Sequence, residues 1–251
     1  MNKENNIDSW DNYYPNYFFF SKLYFFVIMY LLTRKGEYTM KQNDILMLFD
    51  WGGIIEPFEQ WDDAWELIAK MYNKDNWREL CGFFYSNNYE FETTRNKTIT
   101  DNIIREFLKN NGLPYTDKDI CTFIRLYNKV FKHLVYRKDL VEYIKNELKP
   151  YFSTGIFSNI SILDAVRQSK QTYNYTIFDY KYLSCDIGEM KPYEKIYQVV
   201  EQTFKPSNIY FVDDNIMNCK QAQNRGWNVI CTNDEKQIFS FFENIKQNLK
   251  K

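Results

Sequence analysis

The run Ile45-Leu-Met-Leu-Phe49 sets five apolar residues in unbroken succession, followed by Asp50, Trp51 and the pair Gly52-Gly53. Such a run is the pattern of a strand covered on both faces, as in a parallel sheet, although a buried helix segment can share it. The glycines decide for the strand, because they let the chain turn sharply at its exit. Further strand-like runs are Thr154–Phe157, Asn208–Val212 and Trp227–Cys231, with a weaker one at Thr176–Phe178. From Asp44 onward they alternate with amphipathic stretches, which predicts an α/β fold with helices on the faces of a parallel sheet.

Between the first and second runs the chain has almost no strand character, and residues 57–149 are predicted to form an inserted helical domain between core segments 40–56 and 150–251. One stripe carries Trp61, Trp65 and Ile68, and a second carries Ile103, Ile104 and Phe107 before ending at Asn111-Gly112-Leu113-Pro114. A third starts at Thr116, whose hydroxyl can cap it, and repeats Ile120, Phe123, Tyr127, Val130, Phe131 and Leu134. A fourth, Leu140–Leu148, stops at Pro150. These stripes read as the core of a bundle, so Trp61 and Trp65 are assigned to packing and His133 receives no role.

Residues 1–39 stand outside this pattern. Tyr17–Thr33 is apolar and aromatic but interrupted by Lys22, and its clean part, Leu23–Leu32, is too short to span a bilayer. Three readings are open: a signal anchor with Asp8 and Asp11 before it and Arg34 and Lys35 after it, which would leave the remainder in the cytosol; a packing or partner segment; or an extension upstream of a start at Met40. Membrane association of residues 17–33 is not the favoured one, and no small-residue cleavage site follows.

The chain's 251 residues suffice for a core plus an insertion. Lys+Arg at 32 nearly cancels Asp+Glu at 33, which argues against a nucleic-acid or membrane surface as partner. The five scattered cysteines lack a CxxC pair and fit reduced thiols in the cytoplasm, while the single histidine excludes a histidine-rich metal cluster.

Four stretches fall at strand exits. Asp50 ends the first strand; Ser158-Asn159 ends the second, ahead of a helix whose free N–H groups can hold an anion; Lys191-Pro192 follows Leu183–Gly188; and Asp213-Asp214-Asn215 ends a later strand. A carboxylate, a hydroxyl, an ammonium and a second acidic group on one sheet edge suit transfer of a phosphoryl group to aspartate. Carboxylates this close repel unless a divalent cation lies between them, and Mg²⁺ prefers such hard oxygen ligands.

This set, read as FDWGG, IFSN, LSCDIGEMKPYEKIYQ and FVDDN, resembles the haloacid dehalogenase-like (HAD) hydrolase superfamily over residues 44 to about 240, with all four motifs in order. The resemblance is to subfamily I, with a type 1 helical cap and a Rossmann-like core, and within it to sugar phosphatases of the glucose-1-phosphate phosphatase type and the phosphatase domain of epoxide hydrolase. It implies a Mg²⁺-dependent phosphatase for a small phosphorylated metabolite. Asp50 would be the nucleophile; Asp50, the Gly52 carbonyl and Asp214 would hold Mg²⁺; Ser158, Asn159 and Lys191 would bind phosphate; Asp213 and Asn218 would support the metal or the lysine. One position departs: where most phosphatases of the superfamily carry a second aspartate as general acid-base, this chain has Gly52. Such help is worth roughly 10²–10⁴ in rate, so its loss favours good leaving groups, such as an anomeric phosphate, or a proton donor from elsewhere. A 2-haloacid dehalogenase, which also lacks that aspartate and needs no metal, and a binding protein without turnover are the alternative readings. Oligomeric state is not specified by these patterns.

Overall fold

A computed structural model describes residues 44–86, 88–170 and 174–249, so the expectations for residues 1–39, including the segment 17–33 and Met40, lie outside the described residues. Five parallel strands form one sheet: β1 (Leu46–Phe49), β2 (Ser153–Ser158), β3 (Tyr180–Leu183), β4 (Ile209–Asp213) and β5 (Asn228–Cys231). Their order is β3-β2-β1-β4-β5, with β1 in the middle and fully buried. Phe49 pairs with Ile156 of β2 on one side and Val212 of β4 on the other, which brings the carboxyl ends of the three strands side by side. Strand order reverses at β1, the place where open α/β sheets leave a crevice.

The alternation of side chains along β1 splits the core into two layers. Met47 and Phe49 join Ile156, Val212 and Phe242 on one face, while Leu46 and Leu48 join Phe157, Phe211, Tyr197 and Trp227 on the other. Continuous hydrophobicity is needed because helices cover both faces.

Between β1 and β2 lie α1 (Glu59–Met71), α2 (Trp77–Ser86), α3 (Asn88–Glu92), α4 (Lys97–Asn110) and α5 (Asp117–Phe131), which give the all-helical cap, and α6 (Lys138–Tyr143), whose Leu140 and Val141 pack with Met47 and Phe49 in the Rossmann-like core. The first three stripes pack as a bundle around Trp65, Phe84, Phe107, Phe123 and Phe131, with Trp61 edge-on against Phe131, whereas the fourth, Leu140–Leu148, packs on the sheet instead. Leu163, from the helix α7 (Ile162–Lys170) that follows β2, enters the same cluster and joins the cap to the core. At α4 the Asn96 side chain accepts hydrogen bonds from the backbone N–H groups of Thr98 and Ile99. At α5 the Thr116 N–H and hydroxyl both donate to Asp119, so the hydroxyl serves the cap through a carboxylate. His133 is exposed just beyond α5. Among the described residues no helix is long and apolar enough to cross a membrane.

The weak strand predicted at Thr176–Phe178 is corrected. Asn174–Ile177 forms a turn of 3-10 helix, and the edge strand is Tyr180–Leu183, held in place by the Asp179 N–H on the Thr154 carbonyl at 2.8 Å. An edge strand is buried on fewer sides, so the sequence Tyr-Lys-Tyr-Leu satisfies it and conceals its apolar signal. The predicted helix Leu140–Leu148 is also two pieces: α6 widens into a π-helical turn at Ile144–Leu148. The short helices α2 and α3 had no legible stripe.

Phe107 is fully buried, with ring centroids 4.6 Å from Phe84 and 5.0 Å from Phe123. Phe107→Ala is expected to cost about 3–5 kcal/mol of stability through the cavity it leaves. Urea unfolding checks this, and a loss below about 1 kcal/mol would contradict the packing described.

Candidate active site

Asp50 continues the β1 ladder by donating its N–H to the Val212 carbonyl at 2.9 Å, which orients its side chain at the sheet edge. Its Oδ1 accepts from the Trp51 N–H at 2.6 Å and its Oδ2 lies 3.1 Å from Lys191 Nζ. Lys191 is 1% exposed and also donates to Asp213 Oδ2 at 2.6 Å and to the Phe157 carbonyl at 2.8 Å. All three ammonium protons therefore have partners, one from each of the strands β1, β2 and β4.

Asp213 is fully buried and saturated. Besides Lys191, it accepts from the Asn215 N–H at 2.8 Å and from the Asn218 amide at 3.0 and 3.2 Å. Asn215 caps α8 (Ile216–Asn224) by accepting from the N–H groups of Met217 and Asn218. One Asp-Asp-Asn turn thus ends a strand, starts a helix and anchors the lysine.

Asp50, Asp213 and Asp214 each offer a carboxylate oxygen, all within 4.8 Å of one another. Burial raises the Asp50 pKa to about 7, against the pull of Lys191 and with the help of the Asp213 and Asp214 charges. Burial, then Asp213, likewise raises that of Asp214. For Lys191, burial works against the charge, but Asp213 and Asp50 outweigh it and hold the pKa above the ordinary lysine value. Three crowded carboxylates facing one ammonium are an incompletely neutralised set, and hard oxygen donors suit a divalent cation there.

The turn after β1 is shaped for this crowding. Gly53 has φ +78°, and a Cβ there would collide with the Asp214 carboxylate, whose Cγ would stand 2.8 Å away. The bridge between Gly52 and Glu56 uses the Trp51 and Glu56 carbonyls and leaves that of Gly52 free of its hydrogen bonds. The Phe58 ring stands 3.1 Å from where a Gly52 Cβ would lie.

Ser158, 2% exposed, ends β2 and donates weakly to the Asn159 carbonyl at 3.3 Å. The Asn159 side chain, expected to meet a phosphoryl group, is engaged otherwise. Its Oδ1 accepts from the Lys191 N–H at 2.7 Å and its Nδ2 donates to the Lys191 carbonyl at 2.9 Å, so it fixes the main chain that presents the lysine.

Sequence patterns missed a buried polar cluster beneath the site. Arg167 binds Glu56 through both Nη atoms at 3.1 Å and Asp164 at 3.3 Å, and Tyr127 of the cap donates its hydroxyl to Asp164 at 3.0 Å. Burial opposes the Arg167 charge, while Asp164 and Glu56 hold its pKa above the ordinary value. Glu56 and Arg167 lie 111 residues apart, and no local pattern pairs them.

No protein-family model matches the chain. Solved structures do. A predicted HAD-like family hydrolase from Porphyromonas gingivalis superposes with TM-score 0.57 at 19% identity, covering 80% of this chain and 97% of that one. A HAD family enzyme from Bacteroides thetaiotaomicron, in complex with magnesium and inorganic phosphate, gives 0.56 at 20% identity over 78% and 98%. L-2-haloacid dehalogenase from Xanthobacter autotrophicus with chloropropionic acid covalently bound gives 0.55 at 17% identity over 76% of each chain. The fold is that of the HAD-like hydrolases. The matches include a phosphate-bound enzyme and a dehalogenase, so activity has to be argued from the site.

Asp213→Ala would leave Lys191 buried with one carboxylate partner fewer. The expected cost is about 3–5 kcal/mol in unfolding free energy. A change below about 1 kcal/mol, read by urea denaturation, would show that Asp213 does not anchor the lysine.

Proposed function

We propose that this chain is a HAD-like hydrolase, specifically a Mg²⁺-dependent phosphatase acting on a small phosphate monoester, with a sugar phosphate as the favoured class. The observation that carries the reading is the meeting of the Asp50, Asp213 and Asp214 carboxylates within 4.8 Å of one another. In a metal-free dehalogenase Asp213 would still anchor Lys191, but Asp214 would crowd Asp50 with no cation to offset it, so the geometry favours phosphoryl over carbon chemistry. The metal-bearing neighbour agrees with a cation here.

Asp50 and Asp214, with the Gly52 carbonyl, would hold Mg²⁺. When bound, the ion would supply positive charge to offset the phosphoryl oxygens and to keep Asp50 ionised. Asp50, oriented by the Trp51 N–H and Lys191, attacks phosphorus; the P–O bond to the leaving group breaks, and water then cleaves the aspartyl phosphate. Lys191 spreads charge between the nucleophile and Asp213, and one of its protons can swing to a phosphoryl oxygen as Asp50 becomes an ester. Ser158, at the adjacent strand end, offers a hydroxyl donor to the same group. Asn159, Asp213 and Asn218 hold Lys191 and the acidic turn in register.

With a panel of sugar phosphates, phosphate release is expected with Mg²⁺, to vanish with EDTA, and to fall by roughly 10⁴ or more in Asp50→Asn. Activity that survives the substitution sinks the aspartyl-phosphate route. The proton on Asp50 has a second consequence. Its pKa near 7 in the metal-free protein means that Mg²⁺ must displace a proton below neutrality, so the affinity measured by calorimetry should weaken about tenfold from pH 8 to pH 6. Equal affinities at both pH values would remove Asp50 from the ligand set.

A further inference from the structure

The proposed reaction lacks a proton donor for the leaving oxygen. Gly52 has no side chain to offer, and the Phe58 ring lies against it. The buried carboxyls nearby are committed: Glu56 to Arg167, Asp164 to Ser161, Tyr127 and Arg167, and Asp213 to Lys191 and Asn218. Glu92, the last residue of α3, is different. Its carboxyl makes no hydrogen bond among the described residues, yet its position is fixed through the backbone.

Three contacts dock this part of the cap on the core. The Glu92 carbonyl accepts from Ser184 Oγ at 2.6 Å, and Ser184 Oγ in turn accepts from the Ile160 N–H at 2.8 Å, one residue past Asn159. The Tyr89 ring packs edge-on to Tyr193, two residues after Lys191, with centroids 5.6 Å apart. Arg95 pairs with Asp186. Glu92 is thereby held at the seam between cap and core, half-buried, its main chain one bridging hydroxyl away from the turn that follows Ser158 and its carboxyl within electrostatic reach of Asp50 and Lys191.

We infer that Glu92 is the general acid-base of this site, reaching from the cap to do what position 52 cannot. This rests on the phosphatase reading. As the Asp50 oxygen bonds to phosphorus and the ester P–O bond breaks, the Glu92 proton passes to the leaving oxygen, which departs as an alcohol. The Glu92 carboxylate then takes a proton from the water that attacks the aspartyl phosphate, which frees phosphate and the Asp50 carboxylate and restores the acid. The electrostatics agree: burial first, then the charges of Asp164 and Asp50, push the Glu92 pKa up to about 8 against the pull of Lys191, so the acid form is populated at neutral pH.

Glu92→Gln keeps the backbone contact to Ser184 and removes only the proton. The test compares kcat/KM for glycerol 2-phosphate, whose alkoxide leaves poorly, with that for 4-nitrophenyl phosphate, whose leaving group needs little protonation. E92Q should lose about 10²-fold or more with the first ester and far less with the second, and Glu92→Asp should recover part of the loss. A burst of nitrophenolate should appear in E92Q as the second step slows. Equal losses with both esters, or none with either, would overturn the assignment while leaving the phosphatase reading intact. A wild-type chain inert to both esters and to the whole sugar-phosphate panel with Mg²⁺ present would refute that reading and the assignment together.

Discussion

The site is built around one buried cation. The Lys191 ammonium is fully buried and lies between Asp213 at 2.6 Å, Asp50 at 3.1 Å and the Phe157 carbonyl at 2.8 Å. A charge this deep is tolerable only where it is paired and its protons are satisfied. Its three partners come from three neighbouring strands, so the pairing exists only when β2, β1 and β4 are in register. Asn159 and Asn218 extend the same requirement outward: one grips the Lys191 main chain and the other fills the remaining capacity of Asp213. The geometry of the candidate site and the sheet edge are in this sense one construction.

The balance of charge there is deliberate in its incompleteness. One ammonium faces three carboxylates, and the excess negative charge together with burial raises the Asp50 pKa to about 7. Full neutralisation by a second lysine would make a stable but inert ion cluster. The glycines serve the same end, since any side chain at residue 53 would displace the Asp214 carboxylate. The cap approaches this edge through two different kinds of contact: a buried one, where Tyr127 meets Asp164, and a seam of surface contacts from Tyr89 to Arg95.

Much of this was legible before any coordinates. Asp50, Ser158 and Asp213 stand where apolar runs stop, and a strand's end is a local property of the chain. The helical insertion was legible from the Trp65, Phe107 and Phe123 stripes, because periodicity survives without knowledge of neighbours. The edge strand Tyr180–Leu183 was not, since half its surface faces outward and its composition reflects that. Nor was the use of the Asn159 amide, which depends on where a turn 32 residues later comes to rest.

The chain's own pattern determined that a parallel sheet forms, that helices interrupt it after its first strand, and that an acidic residue leaves its central strand between an apolar run and two glycines. Tertiary structure alone decided which charges touch. Glu56 and Arg167, Tyr127 and Asp164, and Glu92 and Ser184 are joined across 111, 37 and 92 residues of chain, and nothing in their local sequence marks them. Hydrophobic periodicity acts over a few residues and can be read along the chain, whereas a buried ion pair or a positioned acid depends on the distance between segments that meet only after folding.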